Sequence, residues 1–223
     1  MTHKTIINIC LTLIALCWTM AIQAQYATVD GIKYYLYTDT KTAEVTRSDV
    51  TGDIVIPEKI TVDGVEYPVT SIANYAFQSC SSLTSVAMPS VTSIGMQAFQ
   101  SCSSLTSVAM PSVTSIGDDA FQSCSSLASV AMPSVTSIGD GAFCGCSSLA
   151  SVAMPSVTSI GDGAFAGFSS LTSVAMPSVT SIGDGAFINC PFTHLSLPAT
   201  LTSIGNQCFT ETREITLAAT TPA

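Results

Sequence analysis

The feature that most constrains this chain is a phenylalanine that returns every 22 residues. It occurs at Phe77, Phe99, Phe121, Phe143, Phe165, Phe187 and Phe209. A period in the twenties is typical of solenoids in which each repeat forms one coil. Because a single coil cannot bury its own apolar side chains, the repeats must stack on one another to form a core.

The repeated unit reads Ala-Phe-x-x-Cys-Ser-Ser-Leu-x-Ser-Val-Ala-Met-Pro-Ser-Val-Thr-Ser-Ile-Gly-x-x. In one copy, Leu105, Val108 and Met110 follow an L-x-x-L-x-L spacing. Val108 and Met110 alternate with small residues, which predicts a strand with one buried face. Pro111 has no N–H group and is expected to end the strand.

The second half of the unit predicts another short extended piece, from which Val113 and Ile116 point inward. Gly117 is expected to permit the turn that follows. Asp118 is placed to cap one short helical or 3-10 turn before Phe121. The fold predicted from these residues is a leucine-rich-repeat solenoid, mainly β with short helical or 3-10 turns, built of 22-residue coils.

The repeat pattern resembles the BspA-like leucine-rich repeat family of Bacteroides-type bacteria over about residues 69–217. The lead-in "GDIVIPEKITVDGVEYPVTSI" resembles the β-rich N-terminal cap of such proteins. The resemblance implies a secreted or surface-exposed protein without enzyme activity. It also implies adhesion, with a host matrix protein, a cell-surface protein or a glycan as partner.

Two departures from the family pattern occur. The segment "MPSVTSIG" is one residue shorter than the common form, and only the last full unit restores the length, as "LPATLTSIG" from Leu197. That unit loses a residue in the segment from Cys190 to Thr193.

The domain organisation predicted along the chain has four parts. Residues 1–24 are a signal peptide, 25–68 the β-rich cap, 69–217 a solenoid of about seven coils, and 218–223 an incomplete coil or tail. Lys4 and the apolar run at 6–20 support the signal peptide, because that run is too short for a typical membrane-spanning helix. No second apolar run follows, so the mature chain is expected to have no transmembrane segment. An uncleaved anchor remains the alternative.

The cap is predicted to contain strands at 32–37, 44–47, 53–56 and 61–68. Tyrosines cluster in it at Tyr26, Tyr34, Tyr35, Tyr37 and Tyr67. Strand alternation favours a cap core with half-exposed rings over a sugar-binding or protein-binding patch. At the other end, Ile215 to Leu217 begins a further coil, which makes self-association through an open C-terminal coil a second expectation.

Charge excludes one class of partner. Only 9% of the residues are charged, the net charge is −9, and no Lys or Arg occurs between Phe77 and Phe209. Nucleic acids and anionic membranes bind clustered basic side chains. Neither is therefore expected as a partner.

Two columns of reactive residue types recur with the repeat. The cysteines at 80, 102, 124, 146 and 190 share one position, which Phe168 fills in another coil. Because an apolar group fits that slot, structural thiols are favoured over disulfides or metal ligands. The aspartates form a weak candidate row for Ca²⁺, although capping is favoured: Asp118, Asp140, Asp162 and Asp184.

The sequence offers few candidate catalytic residues, since the many serines lack a nearby base that could activate them. Neither an enzyme activity nor a cofactor is therefore expected. The predicted solvent-facing strand rows are Ser85, Ser107, Ser129, Ser151, Ser173 with His194, and Ala87, Ala109, Ala131, Ala153, Ala175 with Ser196. They lack Trp, Tyr and Arg, which predominate at strong interfaces. Weak contacts summed by avidity are the favoured mode of binding.

Three functions follow from this reading. The first is a secreted or outer-surface adhesion module. The second is a structural spacer or self-associating scaffold. A Ser/Thr array for ice or crystal surfaces is disfavoured, because the rows mix Ser with Ala and lack a clean Thr ladder.

Overall fold

A computed structural model of the protein describes residues 25–218 as a β-solenoid of 19 strands, with no helix in that range. The predicted signal peptide lies outside the described residues, as do residues 219–223. The predicted solenoid of 22-residue coils is confirmed.

The cap consists of six strands. They are β1 (Tyr26–Val29), β2 (Ile32–Tyr37), β3 (Thr42–Val45), β4 (Gly52–Val55), β5 (Lys59–Val62) and β6 (Val65–Ile72). The prediction for β2 is confirmed, whereas the single strand predicted at 61–68 is wrong. A turn at Asp63 and Gly64, both with positive φ, divides that segment into the antiparallel hairpin β5–β6. Strand β1 was not predicted.

Each coil contributes a longer and a shorter strand. The longer strands are β7 (Leu83–Ala87), β9 (Ser107–Ala109), β11 (Ser129–Ala131), β13 (Ser151–Ala153), β15 (Ser173–Ala175), β17 (His194–Leu197) and β19 (Glu214–Leu217). The shorter strands are Ser-Ile pairs: β8 (Ser93–Ile94), β10 (Ser115–Ile116), β12 (Ser137–Ile138), β14 (Ser159–Ile160), β16 (Ser181–Ile182) and β18 (Ser203–Ile204).

Stacking of equivalent coil strands forms two sheets, parallel within the solenoid, whereas the cap pairs β1–β2, β2–β3 and β5–β6 are antiparallel. The front sheet has the order β4–β7–β9–β11–β13–β15. The back sheet runs β1–β2–β3–β6–β8–β10–β12–β14–β16–β18, with β5 paired to β6. Between the coils each strand residue pairs with its equivalent one coil away, as Val108 does with Val130 and Ile116 with Ile138. The cap therefore joins both sheets, through β4 in front and β6 at the back.

The side chains predicted to point inward are buried. Leu105, Val108, Met110, Val113 and Ile116 are at most 5% exposed. The interior phenylalanines form a column in which successive ring centroids lie 5.0–5.7 Å apart. Each coil thus buries its apolar side chains only against the coils before and after it.

The segment around each interior phenylalanine is a chain of turns, not the short helical turn that the sequence predicts. Gln97 and Ser101, on either side of Phe99, have left-handed φ angles of 54° and 61°. The amide of Phe99 donates to the carbonyl of Ala120 in the next coil at 2.7 Å, while Cys102 N–H donates locally to Phe99. Alternate residues therefore bond between coils, and no continuous helical ladder can form.

Gly117 has a different role from the turn-forming one predicted. A Cβ atom on Gly117 would lie 2.8 Å from backbone atoms of Gly95 and Met96 in the preceding coil. Its φ angle is not positive. Glycine is required here because two backbones approach too closely for any side chain.

Candidate binding surface

The predicted binding face lies on the front sheet. Strands β9, β11, β13 and β15 expose a serine and an alanine each, on either side of a valine that points inward. Ser107 pairs with Ser129 and Ala109 with Ala131 across neighbouring coils. The surface is consequently a flat array of small, uncharged side chains that repeats every strand, about 4.8 Å apart.

The cap covers the first part of this face. Strand β4 pairs with β7, which leaves Ser85 and Ala87 half-buried. The Asp53 carboxylate accepts hydrogen bonds from Ser85 Oγ at 2.6 Å and Thr84 Oγ1 at 2.7 Å. These two hydroxyls hold the pKa of the Asp53 carboxyl below its ordinary value. Ser85 therefore anchors the cap, and the open array begins at Ser107.

The array ends at a break in the front sheet. Strand β15 does not pair with β17, and β17 pairs only with β19, in a separate two-stranded sheet. His194, which the sequence places in the serine row, contacts Glu214 through its Nδ1 atom at 2.7 Å. The predicted row of six is therefore five aligned serines and a displaced histidine.

A cleft of about 450 Å³ opens at this break. Its lining is mostly apolar and consists of Val174, Ala175, Met176, Pro177, Ser196, Pro198, Ala199 and Ala218. Pro198 and Ala199 belong to the longer "LPATLTSIG" segment. The sequence feature that indicates the cleft is the greater length of this segment. An added residue changes the register of the strands on the front face and disturbs their pairing. The strands β16 and β18 at the back remain paired.

The aspartate row connects coils. Asp118 Oδ1 accepts the backbone N–H of Asp140 at 3.0 Å, and Asp140 Oδ1 accepts that of Asp162 at 2.8 Å. The same bond joins Asp162 to Asp184 and Asp184 to Asn206. The carboxylates thus cap amides of the next coil instead of a helical turn. Among residues 25–218, no three His, Cys, Asp or Glu side chains are close enough together to hold a metal ion.

The cysteine column is also used inside the solenoid. All seven cysteines of the described region are free, and all but Cys144 are buried. The thiols of Cys102 and Cys124 donate to the carbonyls of Phe77 and Phe99, each at 3.1 Å. Burial raises the pKa of Cys146 to about 12. Such thiols are poor nucleophiles at neutral pH. They pack as apolar groups in the core, as the sequence predicts from Phe168 at the same repeat position.

A threonine ladder borders the back sheet; the predicted absence of a clean Thr ladder concerned only the Ser and Ala rows of the front sheet, which contain no threonine. Each exposed threonine hydroxyl donates to the carbonyl of its equivalent one coil earlier, at 2.9–3.1 Å. The donors are Thr92, Thr114, Thr136, Thr158, Thr180 and Thr202. These hydroxyls satisfy backbone carbonyls at the sheet margin, and the ladder stabilises the stacking of coils.

The cap tyrosines divide between inside and outside. Tyr34 and Tyr67 are buried, as the core interpretation predicts. Tyr26, Tyr35 and Tyr37 lie together on the outer face, with ring centroids 5.1 and 4.8 Å apart in edge-to-face contact. Strand alternation predicted half-exposed rings but did not separate the inward from the outward tyrosines, and the contact between β1 and β2 required the structure.

The coil geometry has a counterpart in known proteins. The family model for the BspA type leucine rich repeat region matches residues 58–157 and 136–221, in six copies. The chain belongs to the BspA-type leucine-rich repeat family. The resemblance seen in the repeat pattern is thereby confirmed.

Solved structures of bacterial leucine-rich repeat proteins are similar to this chain. A leucine rich cell surface protein from Faecalibacterium prausnitzii is 36% identical with a TM-score of 0.78, covering 88% of this chain and 55% of that protein. A leucine-rich repeat protein from Bacteroides ovatus is 33% identical with a TM-score of 0.76, covering 85% and 52%. The T. pallidum leucine rich repeat protein is 33% identical with a TM-score of 0.68, covering 86% and 85%.

This BspA-type chain spans about half the length of the first two of these proteins. No curated protein matches its sequence. Within residues 25–218, no helix is long and apolar enough to cross a membrane.

Proposed function

We propose that this BspA-type protein is a non-catalytic adhesion module, secreted or held at the outer cell surface, that binds a protein through the front sheet. The observation that carries the proposal is the exposed array of β9, β11, β13 and β15, in which four strands present the same serine and alanine. The similarity to a leucine rich cell surface protein supports the location.

The chemistry of the array determines the kind of binding. Its side chains lose little rotamer freedom when they are covered, but they offer no large anchor. One contact is therefore weak, and affinity must come from repetition along the strands. A host matrix protein with repeated segments fits this requirement better than a small compact ligand does.

The test measures binding of the purified protein to immobilised extracellular-matrix proteins and to host cells. Ala131→Glu places a charge in the middle of the array and is expected to weaken binding strongly. Ser125→Glu places the same charge on an exposed turn outside the array and is the matched control. Binding to no matrix protein or cell, or equal loss in both variants with unchanged folding, would contradict the proposal.

Self-association as a surface scaffold is the alternative function. The observation that favours it is the group of exposed apolar side chains in the last described coils, where Ile204, Ile215 and Leu217 are 47%, 46% and 77% exposed. Light scattering over a range of concentrations tests it. A strict monomer at high concentration counts against the scaffold, and an oligomer that Leu217→Glu dissociates supports it.

A further inference from the structure

Three tyrosines form a strip on the outer face of the cap. Tyr26 on β1 lies directly opposite Tyr35 on β2, and Tyr37 follows two residues later on the same face. The interplanar angles are 77° and 69°, so each ring meets the next edge to face. Tyr26 is 64% exposed and Tyr37 42%. We call these three residues the tyrosine strip.

Packing of the cap does not account for the strip. The inward side of β2 is filled by Ile32, Tyr34 and Leu36, all at most 3% exposed. The three outward rings leave apolar surface in water, which forgoes about 25 cal/mol for each Å² that burial would remove. Contiguous apolar patches of a few hundred Å² on a protein surface are often functional.

Polar groups hold the strip and border it. The Tyr37 hydroxyl donates to Glu44 Oε2 at 2.9 Å, and Ser71 Oγ donates to Glu44 Oε1 at 3.1 Å. This bond to Glu44 raises the pKa of the Tyr37 hydroxyl above its ordinary value. Glu44 keeps the Tyr37 ring in place, and both of its oxygens already have a donor.

The strip continues into the back sheet as a row of hydroxyls. Tyr35 pairs with Glu44, Glu44 with Ser71, Ser71 with Ser93, and Ser93 with Ser115. The serine row repeats every strand, about 4.8 Å apart, and carries no charge. A linear ligand that lies on the rings can therefore extend over groups that donate and accept hydrogen bonds.

We propose that the tyrosine strip binds a neutral, linear oligosaccharide. Sugar rings have an apolar C–H face that can cover a phenol ring, whose π face is electron-rich. Their hydroxyls can bond to the tyrosine hydroxyls and to the serine row. The site lies on the back sheet, so this proposal does not depend on the adhesion function assigned to the front sheet.

Size and charge favour a sugar over the other possible ligands. A buried aromatic side chain contributes about 150–250 Å², so three partly exposed rings offer a few hundred. A stable protein interface needs roughly 800 Å² from each partner. A cationic ligand is disfavoured because both carboxylate oxygens of Glu44 already accept hydrogen bonds. Lys33, two residues before Tyr35 on the same strand, would also repel it.

The experiment is isothermal titration of the full chain with cellohexaose, xylohexaose, mannohexaose and maltohexaose. At least one of them is expected to bind. Tyr35→Ala and Tyr26→Ala are each expected to weaken that binding at least about tenfold, while Tyr26→Phe, which keeps the ring, retains most of it. Tyr75→Ala removes a tyrosine that is 37% exposed but lies outside the strip, and is the matched control.

Two results would overturn the proposal. One is that none of the four hexasaccharides binds to the chain. This outcome includes the case in which the strip binds another protein and no sugar. The other is binding that Tyr35→Ala leaves unchanged. Thermal unfolding of each variant checks the fold, and Ala131→Glu on the front sheet is expected to leave hexasaccharide binding intact, which separates this test from that of the adhesion function.

Discussion

At the scale of single residues, the side chain that a coil position accepts depends on how closely the neighbouring coil approaches it. Gly117 fits only because it lacks a side chain, whereas Gly167 has open space around the position of a Cβ atom but a φ angle of +78°. The two glycines suit their positions for different physical reasons, one steric and one conformational. A substitution at each can separate these reasons.

We expect Gly117→Ala to destabilise the protein more than Gly167→Ala does. The first change forces two backbones apart at a contact of 2.8 Å, an overpacking that typically costs about 1–3 kcal/mol or more. The second costs only the left-handed conformation of alanine, roughly 1–2 kcal/mol. Chemical denaturation measures both values. An equal or larger loss in Gly167→Ala would show that the coils can separate freely.

A second residue-scale prediction concerns Tyr34, whose hydroxyl is buried without a hydrogen-bond partner in the described structure. Burial, and then the charge of Asp30, raises its pKa to about 12. Since an unsatisfied buried hydroxyl is costly, Tyr34→Phe should leave the free energy of unfolding unchanged or raise it by about 1 kcal/mol at neutral pH.

The pH dependence has a definite sign. The pKa of Tyr34 is higher in the folded than in the unfolded chain, so its ionisation does not affect stability below the unfolded pKa of 10.0, and the folded state loses stability as pH rises from there toward about 12. Melting curves should therefore show a smaller alkaline loss of stability in Tyr34→Phe than in the wild type. A marked loss of stability at neutral pH would instead reveal a partner for the hydroxyl.

At the scale of elements, the cap and the coils are joined by strand pairing and by a few polar side chains. Strand β4 extends the front sheet through its pairing with β7, and Asp53 reinforces that pairing through the hydroxyls of Thr84 and Ser85. The aspartate row acts in the same way between later coils. The Asp53 bonds require the ionised carboxylate as acceptor, so they weaken when that carboxyl is protonated.

We expect the contribution of Asp53 to disappear in acid. Because its pKa is lowered in the folded protein, the stabilisation is present above the unfolded pKa and is lost as pH falls through the folded one. The melting temperature of Asp53→Ala should lie below that of the wild type at neutral pH, and the difference should vanish in acid. Asp63→Asn, in the β5–β6 turn, is the control. A difference that persists in acid would contradict a charge-dependent bond.

At the scale of the whole molecule, the solenoid is one-dimensional. Each coil contacts its neighbours only, so stability is approximately the sum of coil terms and of interfaces between coils. The middle units are nearly identical in sequence and keep the same register, as in the pairs Ser107–Ser129 and Ser151–Ser173. The length of the solenoid is therefore a property that can be changed in whole coils.

We expect deletion of residues 120–141, one full period, to leave a folded protein. The deletion joins Asp119 to Ala142 and restores the repeat pattern without a shift. The circular dichroism per residue should be unchanged and the molecule shorter by about 4.8 Å in X-ray scattering. Deletion of residues 120–130 is the control, because half a period places polar residues in the core. Unfolding in both variants would mean that the coils are not interchangeable.

The sequence alone determined the architecture of this protein. Successive coils bury the same positions of the repeat. This recurrence explains the period of 22 residues, the inward Leu, Val, Met, Ile and Phe, and the family pattern. Local detail was less predictable. The alternation of left-handed residues around Phe99 replaces a helical turn, and Asp118 caps the next coil instead of its own, because both depend on hydrogen bonds between coils.

Tertiary structure decided the features that matter most for function. The break between β15 and β17, the covering of Ser85 by the cap and the contact of Tyr26 with Tyr35 each join residues that are apart in sequence. A repeat pattern states which side chains are buried, since burial recurs with the period. It does not state where the two sheets stay in register or what the cap places on their outer faces, because those depend on how non-repeated strands pair.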